Sequence, residues 1–210
     1  MNLHTNPPEN RPERGAGEDS AAEDVALMLR AKDDDLAAFS QLVRKHQNAV
    51  MNFFLRSGVY RDVDDLAQEA FLKLHRARHG YRPSAKFTTF LYLIARQVMI
   101  DSIRRGARRA KLMEGYGREA DTAEDAPAMR GERGDAEKAL NCLSPALREA
   151  VVLVVMQGLT YAAAAEVLGI PAGTVKSRVF AAMRQMRAAL EAPGAPRESE
   201  ADAGGCQEDR

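Results

Sequence analysis

Tryptophan is absent from the 210-residue chain and aromatic residues make up only 6% of it, although hydrophobic residues reach 45%. That balance disfavours strand-rich folds and suits helices built on Ala, Leu, Val and Met. Cysteine is as scarce: Cys142 and Cys206 are too few for a disulfide framework or a four-ligand zinc site, which fits a reducing compartment. Cys142 reads as a small buried residue, and Met28, Met51, Met99, Met156, Met183 and Met186 as core filler. No apolar run approaches the ~18 residues a membrane span needs, and no apolar stretch follows a basic start near the N-terminus. Membrane insertion is not expected, and the expected location is cytoplasmic. His75 and His79 stand at helical spacing without a third ligand, and Asp33-Asp34-Asp35 has no strands or Gly-rich phosphate loop around it. The aspartates read as a helix cap, and neither an enzyme, a metal nor another cofactor is expected.

Thirty basic and thirty acidic residues cancel over the whole chain, but they are sorted along it. Residues 25–111 carry 17 basic against 8 acidic residues, and residues 139–190 carry 5 against 2. The segments 1–24, 112–138 and 191–210 are acidic and rich in Gly, Pro and Ala, the composition of tails and linkers. The expected organisation is a disordered acidic segment over 1–24, a helical domain over 25–111, an acidic flexible linker over 112–134, a second helical domain over 135–191 and a disordered acidic tail over 192–210. The fold class is therefore all-α, with two small helical domains on a tether. Two positive modules suit a polyanion, because neutralised phosphates release counterions.

In the first block, Leu36, Phe39, Leu42, Val43, Val50, Phe53 and Phe54 recur at helical spacing until Gly58. Asp62 is placed to cap the next helix, with Asp64 and Asp65 complementing its positive end. Val63, Leu66, Ala67, Ala70, Leu74 and Ala77 form the inner stripe of that helix, which leaves Asp65, Gln68, Glu69, Leu72, Lys73 and Arg76 on other faces. After a loop at Gly80 and Pro83, Phe87, Phe90, Leu91, Ile94, Ala95 and Val98 define a third helix. Arg104, Arg105, Arg108, Arg109 and Lys111 crowd its C-terminal end. One or two cations would satisfy a helix terminus, so this density points to a phosphate backbone.

In the second block, Ser144-Pro145 divides two short helices carrying Leu140, Leu143, Leu147, Val151, Val152 and Val155, and Gly158 ends the second. Thr160 caps an Ala-rich helix through Leu168, and Gly169-Ile170-Pro171 turns into a longer helix from Ala172 to Leu190. This is a helix-turn-helix pattern whose last helix can present Thr174, Lys176, Ser177 and Arg178 to a major groove about 12 Å wide. Val175, Val179, Ala182, Met183 and Met186 are expected to face the core.

Taken together, the two blocks resemble the extracytoplasmic-function (ECF) subgroup of bacterial sigma factors. The resemblance rests on DLAQEAFLKL at 65–74, FTTFLYLIAR at 87–96 followed by DSIRR at 101–105, and then Leu143-Ser144-Pro145, GLTY at 158–161 and LGIPAGTVKSR at 168–178. It implies sigma region 2 and region 4 domains that bind core RNA polymerase and promoter DNA, with an anti-sigma factor as a third partner. By that resemblance Asp65, Gln68, Glu69 and Leu72 would meet the polymerase clamp. Tyr81, Arg82, Ser84, Lys86, Thr88, Thr89 and Gln97 would meet the non-template strand and a base turned out of the stack at the minus-10 element. Arg104, Arg105, Arg108 and Arg109 would hold duplex phosphates upstream, and Thr174, Lys176, Ser177 and Arg178 would engage the minus-35 element. A helix-turn-helix regulator with a helical sensing domain is the alternative; it leaves the Gln68-Glu69 face and the arginine cluster unassigned.

The chain departs from the family pattern at several positions. Phe90 stands where Trp is common and Gln97 where Asn is common. Ala162, Ala163 and Ala164 replace the usual acidic and Ile positions of the first region 4 helix, and Ala181 and Met183 replace arginines of the recognition helix. Fewer cations there release fewer counterions, so minus-35 binding should weaken with salt less steeply than in a relative carrying both arginines, a difference that a salt titration measures.

Overall fold

The computed structural model describes residues 16–83, 86–114 and 134–191. Eight α-helices account for most of them: α1 (Ala16–Lys32), α2 (Leu36–Arg56), α3 (Val63–Ala77), α4 (Phe87–Glu114), α5 (Asp135–Asn141), α6 (Pro145–Val151), α7 (Tyr161–Leu168) and α8 (Ala172–Glu191). A 3-10 turn over Arg78–Gly80 follows α3, and a π-helical turn over Val152–Met156 extends α6. Among the described residues there is no strand, and no helix is long and apolar enough to cross a membrane. The expected linker and tail lie largely outside the described residues.

The first bundle begins earlier than composition suggested. Residues 16–24, expected in the disordered acidic segment, are helical, because α1 is held by contacts its own sequence does not reveal. Asp24 is 3% exposed and meets Lys45 Nζ at 2.7 Å and His46 Nε2 at 3.0 Å, both on α2. Next to it Met28 is fully buried. The triple aspartate does cap α2: Asp35 Oδ1 accepts from Ala38 N at 3.0 Å, and Arg30 pairs with the same carboxylate. Asp34, left-handed at φ 67°, pairs with Arg78 after α3 and so closes the turn onto the third helix.

Helix α3 buries Val63, Leu66, Ala67, Ala70, Phe71 and Leu74, one apolar stripe at helical spacing. Asp62 occupies its N-cap position but does not cap with its side chain. It is left-handed at φ 55°, whereas an N-cap side chain works from extended backbone. The charges of Asp64 and Asp65 in the first turn complement the helix dipole instead. Helix α4 buries Phe87, Leu91, Ile94, Ala95, Val98 and Met99, and beyond Met99 none of its described residues is buried.

The second bundle is set by its turns. Thr160 Oγ1 accepts from Ala163 N at 3.1 Å to start α7, and left-handed Gly169 at φ 68° ends it, donating to Ala165 O at 2.8 Å. Ser144 marks the start of α6 through its backbone, with no side-chain cap bond, and Pro145 follows at the first helical position. In the π-helical turn Val152 and Leu153 stay buried while Val155, expected in the apolar stripe, is 53% exposed. The wider i to i+5 repeat breaks the period on which that expectation rested. Cys142 is exposed rather than buried, because α5 ends there.

The bundles pack against each other and share one contiguous core, with α7 lying on α4. Small alanines on α7, including fully buried Ala164, allow the close approach. Arg96 Nε on α4 donates to Glu149 Oε2 on α6 at 3.1 Å, Tyr92 Oη donates to Gln157 Oε1, and Tyr60 Oη donates to Asn141 Oδ1 at 3.1 Å. Burial pushes the Tyr92 phenol up from its ordinary value. Gly58, at φ +91°, lies so near Arg148 that a Cβ there would come within 2.5 Å of its guanidinium. Leu91 is fully buried in the core on α4. Leu91→Ala should cost about 2–5 kcal/mol in chemical denaturation, while Leu72→Ala, at a residue 57% exposed, should stay within about 0.5 kcal/mol.

Candidate nucleic-acid interface

Helix α3 turns its polar face outward because its apolar stripe is fixed in the core. Asp65 and Gln68 are exposed and Leu72 is 57% exposed, as their spacing predicted. Glu69 sits differently. Its carboxylate accepts from Arg105 Nη2 of α4 at 3.0 Å and lies 3.4 Å from Lys73 Nζ, which in turn reaches Asp101 at 3.2 Å. Burial pushes the Glu69 carboxyl up, but the Arg105 hydrogen bond and charge, aided by Lys73, hold it below its ordinary value. Partly exposed pairs of this kind are worth about 0–1 kcal/mol each, so the network orients side chains more than it stabilises the fold.

A groove of about 510 Å³ runs between α2 and α3 beside this face, lined by Phe39, Val43, Met51, Ala67, Phe71 and Leu72, with Gln47, Asp64, Gln68 and His75 at its edges. It meets a second recess at Met51 and Asp64, where Leu55, Tyr60, Asp62, Val63 and Asp65 complete the lining. Gln68 and Leu72, predicted as interface residues, thus stand on the wall of an apolar trough. The Phe39, Val43 and Met51 wall was not predicted. It arises where two helices meet, and a single-helix period assigns such residues to the core. His75 packs edge-on against Phe39, with ring centroids 4.9 Å apart, and His79 lies 3.7 Å from Asp34. No group of three or more metal-ligating side chains occurs among the described residues.

The second candidate surface is the N-terminal half of α4 with the loop before it. Arg82, Lys86 and Gln97 are exposed and Thr88 is half-buried. Ser84 lies outside the described residues. Two predicted DNA contacts are buried rather than exposed. Tyr81 is 2% exposed: its ring packs on Phe90 with centroids 5.4 Å apart, and its backbone carbonyl accepts from Lys32 Nζ at 3.1 Å. It is a core aromatic in the free protein. Thr89 is 5% exposed and stands one turn before Tyr92, on the side where Tyr92 and Arg96 meet the second bundle. A hydroxyl there is closed to DNA in this packing.

Beyond Met99, α4 projects as a basic arm. Arg104, Arg105, Arg108 and Arg109 are all exposed, and only Arg105 has an acidic partner among the described residues. Arg108 Nε donates to Arg104 O at 3.3 Å along the arm.

On α8 the core stripe is Val175, Val179 and Ala182, with Met186 packed partly against it. Lys176 and Ser177 are exposed, Thr174 and Arg178 half-buried, and Ser177 Oγ donates to Thr174 O at 3.0 Å. Arg184 and Arg187 continue the positive surface. Met183, expected in the core, is 46% exposed, since it falls one residue past Ala182 and rotates off the stripe. Phe180, unassigned by sequence reasoning, is 72% exposed on the same helix.

With this geometry in view, comparison with known proteins gives a consistent family. The Sigma-70 region 2 model matches residues 42–109, and the Sigma-70, region 4 model matches residues 133–186. The "ECF RNA polymerase sigma-E factor" of Haemophilus influenzae is 31% identical over 171 residues, covering 76% of this chain and 90% of that protein. The "ECF RNA polymerase sigma factor SigE" of Mycolicibacterium smegmatis is 33% identical over 158 residues, covering 72% of this chain and 61% of its own length. Among solved structures, CnrH in complex with the cytosolic domain of CnrY aligns with a TM-score of 0.61 at 27% identity, covering 81% of this chain and 99% of that one. The sigma factor RpoE of Bartonella quintana, in complex with the anti-sigma factor NepR, also gives 0.61, at 26% identity, covering 74% and 98%.

Proposed function

The chain belongs to the ECF RNA polymerase sigma factors, and from that membership we infer that its two bundles divide one task, gripping core polymerase with α3 and promoter DNA with α4 and α8. As a sigma factor it promotes DNA-templated transcription initiation. The observation that carries the division of labour is the adjacency of two unlike surfaces in the first bundle: an acidic face beside an apolar trough on α3, and a basic arm on α4.

Asp65, Gln68 and Glu69 offer carboxylate and amide groups to the polymerase clamp, and Leu72 with the trough behind it offers apolar area. The charges set orientation and encounter rate, and the apolar contact supplies affinity. Arg82, Lys86, Thr88 and Gln97, with Ser84, face the melted non-template strand at the minus-10 element. Phosphates pair with the cations, and an amide suits a base edge. Arg104, Arg105, Arg108 and Arg109 hold the duplex upstream, and Thr174, Lys176, Ser177 and Arg178 engage the minus-35 element in the major groove. Residues 25–111 act as the region 2 domain and 135–191 as the region 4 domain. No covalent bond is made or broken by this chain; the polymerase does the chemistry. Its place of work is the cytoplasm, with core polymerase and promoter DNA. The Bartonella quintana relative is held by an anti-sigma factor, which supports the same class of partner for this chain.

Run-off transcription with core polymerase on a pool of randomised promoters tests this reading. Added protein should give promoter-specific transcripts. Gln68→Ala combined with Glu69→Ala, and separately Arg178→Ala, should each lower them about tenfold, as loss of roughly 1.4 kcal/mol of interface energy does. DNA binding without initiation would instead assign a helix-turn-helix regulator with a helical sensing domain.

A further inference from the structure

Four charged side chains tie the two surfaces of the first bundle together: Asp101 and Arg105 from α4, Lys73 and Glu69 from α3. Glu69 faces the polymerase side and Arg105 belongs to the DNA arm, yet each is the other's partner at 3.0 Å. Arg105 is the one arginine of the arm whose charge is offset by a carboxylate among the described residues. The pair is accessible, with Arg105's side chain 51% and Glu69's 32% exposed. A buried pair would be a fixture, whereas an exposed one exchanges partners at little cost.

We propose that Glu69 is a shared acceptor coupling polymerase binding to promoter binding: in the free protein it holds the Arg105 guanidinium, and a cationic group on the docked polymerase draws it away and frees Arg105 for a DNA phosphate. The proposal rests on the assignment of α3 to polymerase and the basic arm to DNA. Lys73 is the positioning residue of the device. It bridges Glu69 and Asp101, so when Glu69 turns to the polymerase, Lys73 keeps a carboxylate partner on α4 and the two helices stay in register. Coupling of this kind is reciprocal: promoter DNA that captures Arg105 also leaves Glu69 free for the polymerase. Free protein therefore holds DNA with one phosphate contact fewer than holoenzyme does.

The test is a salt titration of DNA affinity, read by fluorescence anisotropy of a labelled duplex oligonucleotide with the full chain alone, and of a promoter fork probe with holoenzyme at saturating core polymerase. In the free protein Glu69→Gln should tighten binding about threefold and steepen the plot of log affinity against log salt by about one, the value of one phosphate contact. The same substitution in an Arg105→Gln background should do nothing. In holoenzyme, wild type and Glu69→Gln should share one slope, and Arg105→Gln should lower both by about one. Free-protein binding unchanged by Glu69→Gln, or tightened equally in the Arg105→Gln background, overturns the coupling while Arg105 remains a DNA contact. Holoenzyme slopes unmoved by Arg105→Gln overturn the DNA assignment of the arm, and the proposal falls with it.

Discussion

The burial of one face of α4 along only half its length is the constraint on which the rest depends. From Phe87 to Met99 the helix is fixed by apolar residues that are almost fully excluded from solvent. Its second half has no such face: Ile103 and Leu112 are 55% and 67% exposed. A helix anchored at one end continues as a rigid arm at the other, rising about 1.5 Å per residue. Arginines on that arm are presented at a fixed distance from the core, where a loop would scatter them. The anchored half sets the remaining geometry as well, since α3 packs along it and Tyr92 and Arg96 seat the second bundle.

Charge follows from the same arrangement. Once the α3 stripe from Val63 to Leu74 is buried, Asp65, Gln68 and Leu72 must point outward and Glu69 must lie toward α4. A macromolecular partner meeting that face finds carboxylates around an apolar trough, while one meeting the arm finds guanidinium groups. Opposite surfaces a few ångströms apart would steer two partners of opposite charge to different sides of one small bundle, and the Glu69–Arg105 ion pair joins them.

Much of this was legible in the sequence because periodicity and turn chemistry agreed. The α3 stripe, the Asp35 and Thr160 caps, Gly169 with Pro171 and the exposed Lys176-Ser177 pair all appear where spacing placed them. What escaped depends on contacts between distant segments. Residues 16–24 looked like a tail because the 1–24 segment is acidic and rich in Gly, Pro and Ala; the burial of Asp24 becomes tolerable only beside Lys45 and His46 of the next helix. Tyr81 and Thr89 resembled exposed interface residues, but Phe90 covers one and the other lies toward the second bundle. Met183 missed the core by a single helical step. The trough between α2 and α3 has no signature on either helix alone.

Site-specific photo-crosslinking from Leu72 and from Gln97 in the initiating complex on a defined promoter tests the central claim, that one bundle holds polymerase and DNA on separate faces. Leu72 should crosslink to core polymerase and Gln97 to promoter DNA. Crosslinks from both positions to DNA, or from both to polymerase, would contradict that claim.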